Sequence, residues 1–236
     1  MKGMIRLLLT LIFSGFVYAE ECAVVNAPAV PNEELANTMC LFSKPLIIGA
    51  SVSAGYGTGT GGPAAILSRN LNPSANVTNL SVSGATSMIS THRRMRETPS
   101  IVLGFDVFFW DTARGLCDET YETNTREFFQ RYQDQGIPMI IGKIPVDAPF
   151  PLGVRLAGRQ PCTAKINRLI AELCTPDKNC LTYDPKDCFS AMRSQVSATG
   201  EAYFQDPVHP TTAGNRFCAE NFMRRGAYKR LGCRIR

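Results

Sequence analysis

The chain has 236 residues, a formal net charge of +5, nine cysteines and only two histidines. That charge is too mild to argue for nucleic acid, and two histidines without any CxxC pair argue against a metal centre and for disulfides. The length suits one domain and is ample for burying a core.

In chain order, residues 1–19 have the form of a secretory signal peptide. Lys2 and Arg6 supply a positive start, Leu7 to Phe13 an apolar core, and Val17-Tyr18-Ala19 a small-x-small cleavage site. The apolar core is too short to cross a bilayer, and Glu21 before Cys22 does not suit a lipoprotein signal. Cleavage after Ala19 leaves a single domain, 20–236, of about 217 residues with a charge of +3, since Lys2 and Arg6 leave with the leader. Such a protein is exported and soluble, in the periplasm or outside the cell. There the cysteines pair, and their odd number leaves at least one thiol free or joined to another molecule. Short spacings suggest Cys22–Cys40 and Cys174–Cys180 as loop closures.

Residues 20–44, with Pro28 and Pro31, read as irregular. Apolar, β-prone runs follow at Pro45–Ala50, Val77–Val82, Phe105–Trp110, Pro138–Ile144 and Cys180–Tyr183. Helical spacing lies between them, at Pro63–Leu71, Thr86–Glu97, Thr123–Gln135, Cys162–Leu173 and Pro185–Gln195, and a last helix spans Thr212–Leu231. Strands that read as continuous apolar runs are those buried on both faces. Their alternation with helices predicts an α/β fold, a three-layer α/β/α sandwich with a five-stranded parallel sheet of flavodoxin-like type. Asn76-Val77-Thr78 and Asn79-Leu80-Ser81 match glycosylation sequons but fall on a strand predicted to be buried. The C-terminal MRRGAYKRLGCRIR holds six Lys or Arg and no acid. It reads as a helix end whose dipole favours cations, or as a patch for an anionic envelope surface.

Open parallel sheets carry their sites beyond the carboxyl ends of the strands, so three loops draw the functional reading. They are Gly49-Ala50-Ser51-Val52-Ser53-Ala54-Gly55, Ser81-Val82-Ser83-Gly84-Ala85-Thr86 and Tyr203-Phe204-Gln205-Asp206-Pro207-Val208-His209-Pro210. A phosphate cradle would need a lysine after the glycines or a GxGxxG directly after the strand. Neither is present, and Gly55–Gly62 reads as a rim loop. A nucleophilic serine needs a base, and histidine with an orienting carboxylate is the usual one. His92, in THRRMRE, reads as a solvated surface residue. His209 follows Asp206 by three positions, in a turn stiffened by Pro207 and Pro210, so one short loop presents both groups. Ser53, Ser81 and Ser83 are nucleophiles by type, but none ends the first strand as Ser51 does.

"GASVSAG", the glycine of "SVSGATS" and "FQDPVHPTTAG" together resemble the SGNH (GDSL-like) hydrolase family, in order and spacing over nearly the whole mature chain. The resemblance implies the three-layer fold and a secreted serine esterase without metal or organic cofactor. It implies Ser51 as nucleophile, His209 as general base and acid, Asp206 as its orienting partner, and the backbone N–H groups of Ser51 and Gly84 in the oxyanion hole. The substrate it implies is a carboxylic ester, acetyl or acyl, on a small molecule, an envelope polysaccharide or a lipid. Two departures stand out. Ala50 replaces the Asp of the family's Gly-Asp-Ser. The GxND expected after the third strand is met by Phe108-Phe109-Trp110-Asp111-Thr112-Ala113-Arg114, without an Asn. Thr112 or Arg114 is then a replacement donor, or Asp111 holds a neighbouring loop, and Trp110, Asp111 and Thr112 are expected at the substrate pocket. The missing Asn also admits a non-catalytic carbohydrate- or lipid-binding protein on the same scaffold. An acyltransferase would use the same triad.

Overall fold

In the computed structural model, which describes residues 32–92, 97–145, 159–193, 200, 202–206 and 208–233, five short strands form one parallel sheet. They are β1 (Pro45–Ile47), β2 (Thr78–Asn79), β3 (Ile101–Gly104), β4 (Met139–Gly142) and β5 (Cys180–Tyr183), in the order β2-β1-β3-β4-β5. The register sets Leu46 opposite Val102, Leu103 opposite Ile140 and Ile140 opposite Leu181. Side chains alternate across a strand, and here both faces are core. Ile47, Leu103, Ile140 and Leu181 enter one apolar cluster, while Leu46, Val102, Met139 and Ile141 enter the other. This two-sided burial is the physical reason why the strands read as unbroken apolar runs. Each large side chain so buried contributes roughly 1.5–3 kcal/mol before entropy is counted.

The first face is covered by α3 (Pro63–Leu71) and α9 (Thr212–Arg225), through Leu67, Ala219 and Phe222, and by Leu41 of α1 (Asn32–Leu41). Phe189 of α8 (Pro185–Arg193) joins the same cluster. The second face is covered by α6 (Glu119–Gln133) and α7 (Gln160–Leu173), through Phe128, Phe129, Ile166 and Ile170. Helix starts follow local chemistry. Pro63 opens α3, Asp118 accepts from the Tyr121 amide at 2.9 Å ahead of α6, and Thr211 accepts from the Gly214 amide at 3.1 Å ahead of α9. Three short helices, α2 (Ser51–Ala54), α4 (Ser87–His92) and α5 (Phe109–Arg114), follow β1, β2 and β3.

Several expectations are corrected. The third strand is Ile101–Gly104 and not Phe105–Trp110, whose last two residues open α5. Residues 32–41, expected to be irregular, form α1, with Glu33 and Glu34 in its first turn favoured by the helix dipole. The last helix stops at Gly226, which takes a left-handed φ of 61°, and a separate 3₁₀ turn follows at Ala227–Arg230. β2 is an edge strand, and both Asn76 and Asn79 are exposed, so burial does not bar either sequon.

Among the described residues four disulfides are present: Cys40–Cys233, Cys117–Cys162, Cys174–Cys180 and Cys188–Cys218. The 174–180 closure is the expected one, whereas Cys40 bonds to Cys233, which excludes Cys22 as its partner. Cys22 and the leader lie outside the described residues. Of the C-terminal cations, Arg225 pairs with Asp187 and Lys229 with Glu34, so part of that charge is met within the fold.

Candidate active site

The strand order reverses between β1 and β3, and a crevice opens at the carboxyl ends of such a pair. Ser51 stands there, at the start of α2. Gly49 precedes it with φ of 149°, and a Cβ at that position would lie 2.3 Å from Asp106 Oδ1 and 2.5 Å from Ser53 Oγ. Only glycine passes the chain through this gap. The Gly49 carbonyl is held by the Val82 amide at 3.1 Å and the Ser90 hydroxyl at 3.2 Å, and Asn79 Nδ2 donates to the Ser53 carbonyl at 2.9 Å. β2 and the loop after it therefore fasten the turn from one side.

From the other side comes the loop before α9. Phe204 and Pro210 form an antiparallel bridge, and the Gln205 amide donates to the His209 carbonyl at 3.0 Å. Within this hairpin Asp206 Oδ1 accepts from the amides of Val208 and His209, both at 2.8 Å, an Asx turn that aims its second oxygen outward. That oxygen lies 2.6 Å from His209 Nδ1, and His209 Nε2 lies 2.9 Å from Ser51 Oγ. Burial alone raises the pKa of Asp206, but the bonds from the His209 ring and the two amides outweigh it and hold the carboxyl below its ordinary value. An ionised carboxylate only accepts, so Nδ1 carries the proton and Nε2 offers its lone pair to the serine hydroxyl. The Tyr56 ring covers the imidazole at a centroid distance of 4.6 Å, and Gln205 Nε2 donates to the Tyr56 carbonyl at 2.6 Å. The Gly55–Gly62 loop thus packs on the histidine loop at Tyr56.

Gly84 takes φ of 75° with no atom within 4 Å of an added Cβ, so its requirement is conformational. Among the described residues, neither the Ser51 amide nor the Gly84 amide donates to a protein acceptor. Arg114 Nη2 donates to the Gly84 carbonyl at 3.2 Å. Asp111 accepts from the Ser87 amide at 2.8 Å and the Ser87 hydroxyl at 2.9 Å. Two residues of α5 thereby hold residues 84–87. Trp110, Asp111 and Thr112, expected at the pocket, do not line the cavity that reaches Ser51, and the Asp111 and Thr112 side chains are buried. That cavity, of about 40 Å³, is walled by Phe105, Phe108, Phe109, Tyr183, Phe189 and Val208. Among the described residues no group of three His, Cys, Asp or Glu is placed to hold a metal ion.

Asp111 carries a pH consequence. Burial pushes its pKa up to about 6 against the two Ser87 bonds and the Arg114 charge. An acid whose pKa rises on folding binds its proton more tightly in the native state. Its ionised form therefore costs stability above about pH 6, and the cost fades as pH falls towards 4. Asp111→Asn keeps an acceptor for the Ser87 amide and offers a donor to the Ser87 hydroxyl. It is expected to gain about 1–3 kcal/mol at pH 8 and much less at pH 4. Urea melts of both proteins at the two pH values test this, and a variant less stable at pH 8 would contradict it.

The residue that the sequence reading missed is Asp106. It was hidden by the misplaced third strand: with β3 ending at Gly104, the GxND slot falls on Gly104-Phe105-Asp106-Val107, and an acid stands where the family's Asn is expected. Asp106 lines the cavity and accepts from the Ala50, Val52 and Ser53 amides and the Ser53 hydroxyl. Burial raises its pKa, and those four donors oppose the rise.

Comparison with known proteins agrees with this architecture. The solved structures similar to it include the psychrotrophic esterase EstA from Pseudoalteromonas sp., with a TM-score of 0.55 and 20% identity over 77% of this chain and 95% of that one. TesA has a TM-score of 0.55 and 20% identity over 79% and 99% of the two chains. The acetylxylan esterase Axe2 from Geobacillus stearothermophilus has a TM-score of 0.53 and 19% identity over 81% and 97%. No curated protein sequence matches significantly. The model of the GDSL-like lipase/acylhydrolase family matches residues 47–217. The chain belongs to that family, and with it to the SGNH-type carboxylic ester hydrolases.

Proposed function

We propose that this protein hydrolyses esters of short carboxylic acids in an oxidising compartment, with Ser51 as nucleophile. The observation that carries the proposal is the continuous hydrogen-bond chain from Asp206 through His209 to Ser51, at 2.6 and 2.9 Å, ending at an apolar cavity. Ser51 Oγ attacks the ester carbonyl carbon while His209 Nε2 takes its proton, and Asp206 stabilises the imidazolium. The tetrahedral oxyanion accepts from the Ser51 and Gly84 amides. His209 returns the proton to the departing alkoxide, which leaves as the alcohol. Water then adds to the acyl-Ser51 carbonyl with His209 again as base, and the carboxylic acid is released. The assembled triad weighs against a binding-only role, and four disulfides favour export.

The cavity favours a small acyl group. Its 40 Å³ holds about three water-sized groups, on the scale of acetyl to butyryl. On p-nitrophenyl acetate, butyrate, octanoate and dodecanoate, kcat/KM is expected to peak at the first two and fall about tenfold or more by octanoate. A fluorophosphonate should block turnover and appear by peptide mass analysis on Ser51. Labelling elsewhere, or neither turnover nor labelling, would remove the proposal. A maximum at dodecanoate would replace its substrate class with long-chain lipid esters.

A further inference from the structure

Of the four successive amides from Ala50 to Ser53, three point at a single carboxylate. Ala50 N donates to Asp106 Oδ1 at 2.9 Å, Val52 N to Oδ2 at 2.8 Å, and Ser53 N to both oxygens at 3.3 and 3.4 Å. The Ser53 hydroxyl is a fourth donor, to Oδ1 at 2.5 Å. Ser51 is the residue left out: its amide has no protein acceptor among the described residues, and its hydroxyl meets His209. The selection is geometric. The amides on either side of Ser51 converge on the Asp106 carboxylate, and the Ser51 amide makes no bond to it.

We propose that Asp106 is the positioning residue of the nucleophile, a proposal that rests on the reading of Ser51 above. The carboxylate, fixed at the end of β3, sets the pitch of the turn at the end of β1. It thereby sets two directions at once, that of Ser51 Oγ towards His209 and that of the Ser51 amide towards the oxyanion. Each would suffer from a small rotation of α2, since a displacement of about 1 Å in a reacting geometry costs about 10²-fold in rate. A carboxylate suits the position because all four partners are donors and both of its oxygens accept. An asparagine there turns one N–H group against an N–H donor, so the turn must relax. Asp106 touches neither Ser51 Oγ nor His209 in the hydrogen-bond network, and its action on the reaction passes through the backbone.

The test compares wild type, Asp106→Asn and Ser53→Ala on p-nitrophenyl acetate, with fluorophosphonate labelling rates and melting midpoints measured on the same samples. Asp106→Asn is expected to lower kcat about 100-fold with KM within about threefold, and to slow labelling in parallel. Ser53→Ala, which removes one donor of four, should lower kcat about threefold or more with KM unchanged. If Asp106→Asn does not fold, the Ser53→Ala comparison decides alone. A kcat unchanged or raised in the folded variants, with only the melting midpoint lowered, assigns the carboxylate to stability and overturns the proposal. A wild type that neither turns over nor labels removes the Ser51 reading itself, and this one with it.

Discussion

Asp206→Asn is expected to lower kcat about 10⁴-fold while leaving the loop intact. The two roles of this carboxylate sit on different oxygens, so the substitution separates them. Oδ1 takes the Val208 and His209 amides, a task that an asparagine oxygen performs equally well. Oδ2 faces His209 Nδ1, where the asparagine places an N–H group. Nδ1 must then accept, the ring proton moves to Nε2, and the imidazole can no longer take the proton of Ser51 Oγ. Ser51→Ala should lose at least as much, and the double variant little more than either, because the groups act as one unit. Stopped assays on p-nitrophenyl acetate measure all three. A variant within tenfold of wild type would mean that His209 finds its tautomer without Asp206. A fully additive double loss would mean that the two residues serve separate steps.

The Asp206–His209–Ser51 arrangement was legible because its elements have sequence signatures: a serine directly after the first apolar run, and DxxHP before the last helix. Asp106 had none. Its partners are backbone amides, which every residue carries, and its place depends on where β3 ends. Phe105–Trp110 outweighed Ile101–Gly104 as a strand signal because aromatic residues count as both β-prone and apolar. In the fold Phe105, Phe108 and Phe109 wall the cavity, with α5 taking up the end of the run. The same displacement set Phe108–Arg114 in the place of the GxND element, with Thr112 or Arg114 as donor; in the fold Asp111 holds Ser87, the neighbouring-loop role that the sequence offered as the alternative. Strands β1, β4 and β5 were legible for the opposite reason: both faces meet core, and the pattern had no competing use.

The two departures from the family pattern lie on facing loops. Ala50, where the family has an acid, donates its amide to Asp106, where the family has an asparagine. A carboxylate is thus kept beside the Ser51 turn, while the side-chain donor that an asparagine would offer there is given up. Removal of one such donor typically costs about 10²–10³ in rate. In the proposed mechanism the backbone pair at Ser51 and Gly84 stabilises the oxyanion by itself, which makes the rigidity of both loops matter more. Val82 and Ser90 hold the first loop through the Gly49 carbonyl, and Arg114 holds the second through the Gly84 carbonyl.

Removing the Cys40–Cys233 bridge with the paired variant Cys40→Ser, Cys233→Ser is expected to cost about 5 kcal/mol of stability, and about 10–15 °C in Tm. The bridge spans 193 positions, against six for Cys174–Cys180. In the chain-entropy account a closed loop of that size restricts the unfolded state by about 5 kcal/mol, and the short one by about 2. The other three bridges lie inside the long span and shorten it, but the logarithmic dependence on length trims the figure only slightly. The native arrangement should survive the loss. Asn37 bonds the Leu231 carbonyl at 2.9 Å and the Cys233 amide at 2.8 Å, and Asn179 bonds both backbone groups of Gly232. The chain end is therefore stitched to α1 and to the loop before β5 without the sulfurs. Activity per folded molecule should stay near wild type, because the bridge lies at the amino-terminal end of the sheet, beside Lys44 and Ser100 and away from Ser51. Guanidinium melts supply the decisive sign. An unfolded chain freed of its longest constraint exposes more surface, so the m-value should rise as the midpoint falls. A loss below about 1 kcal/mol with an unchanged m-value would mean that the unfolded ends remain together by other contacts, and that the entropy argument does not apply to this chain.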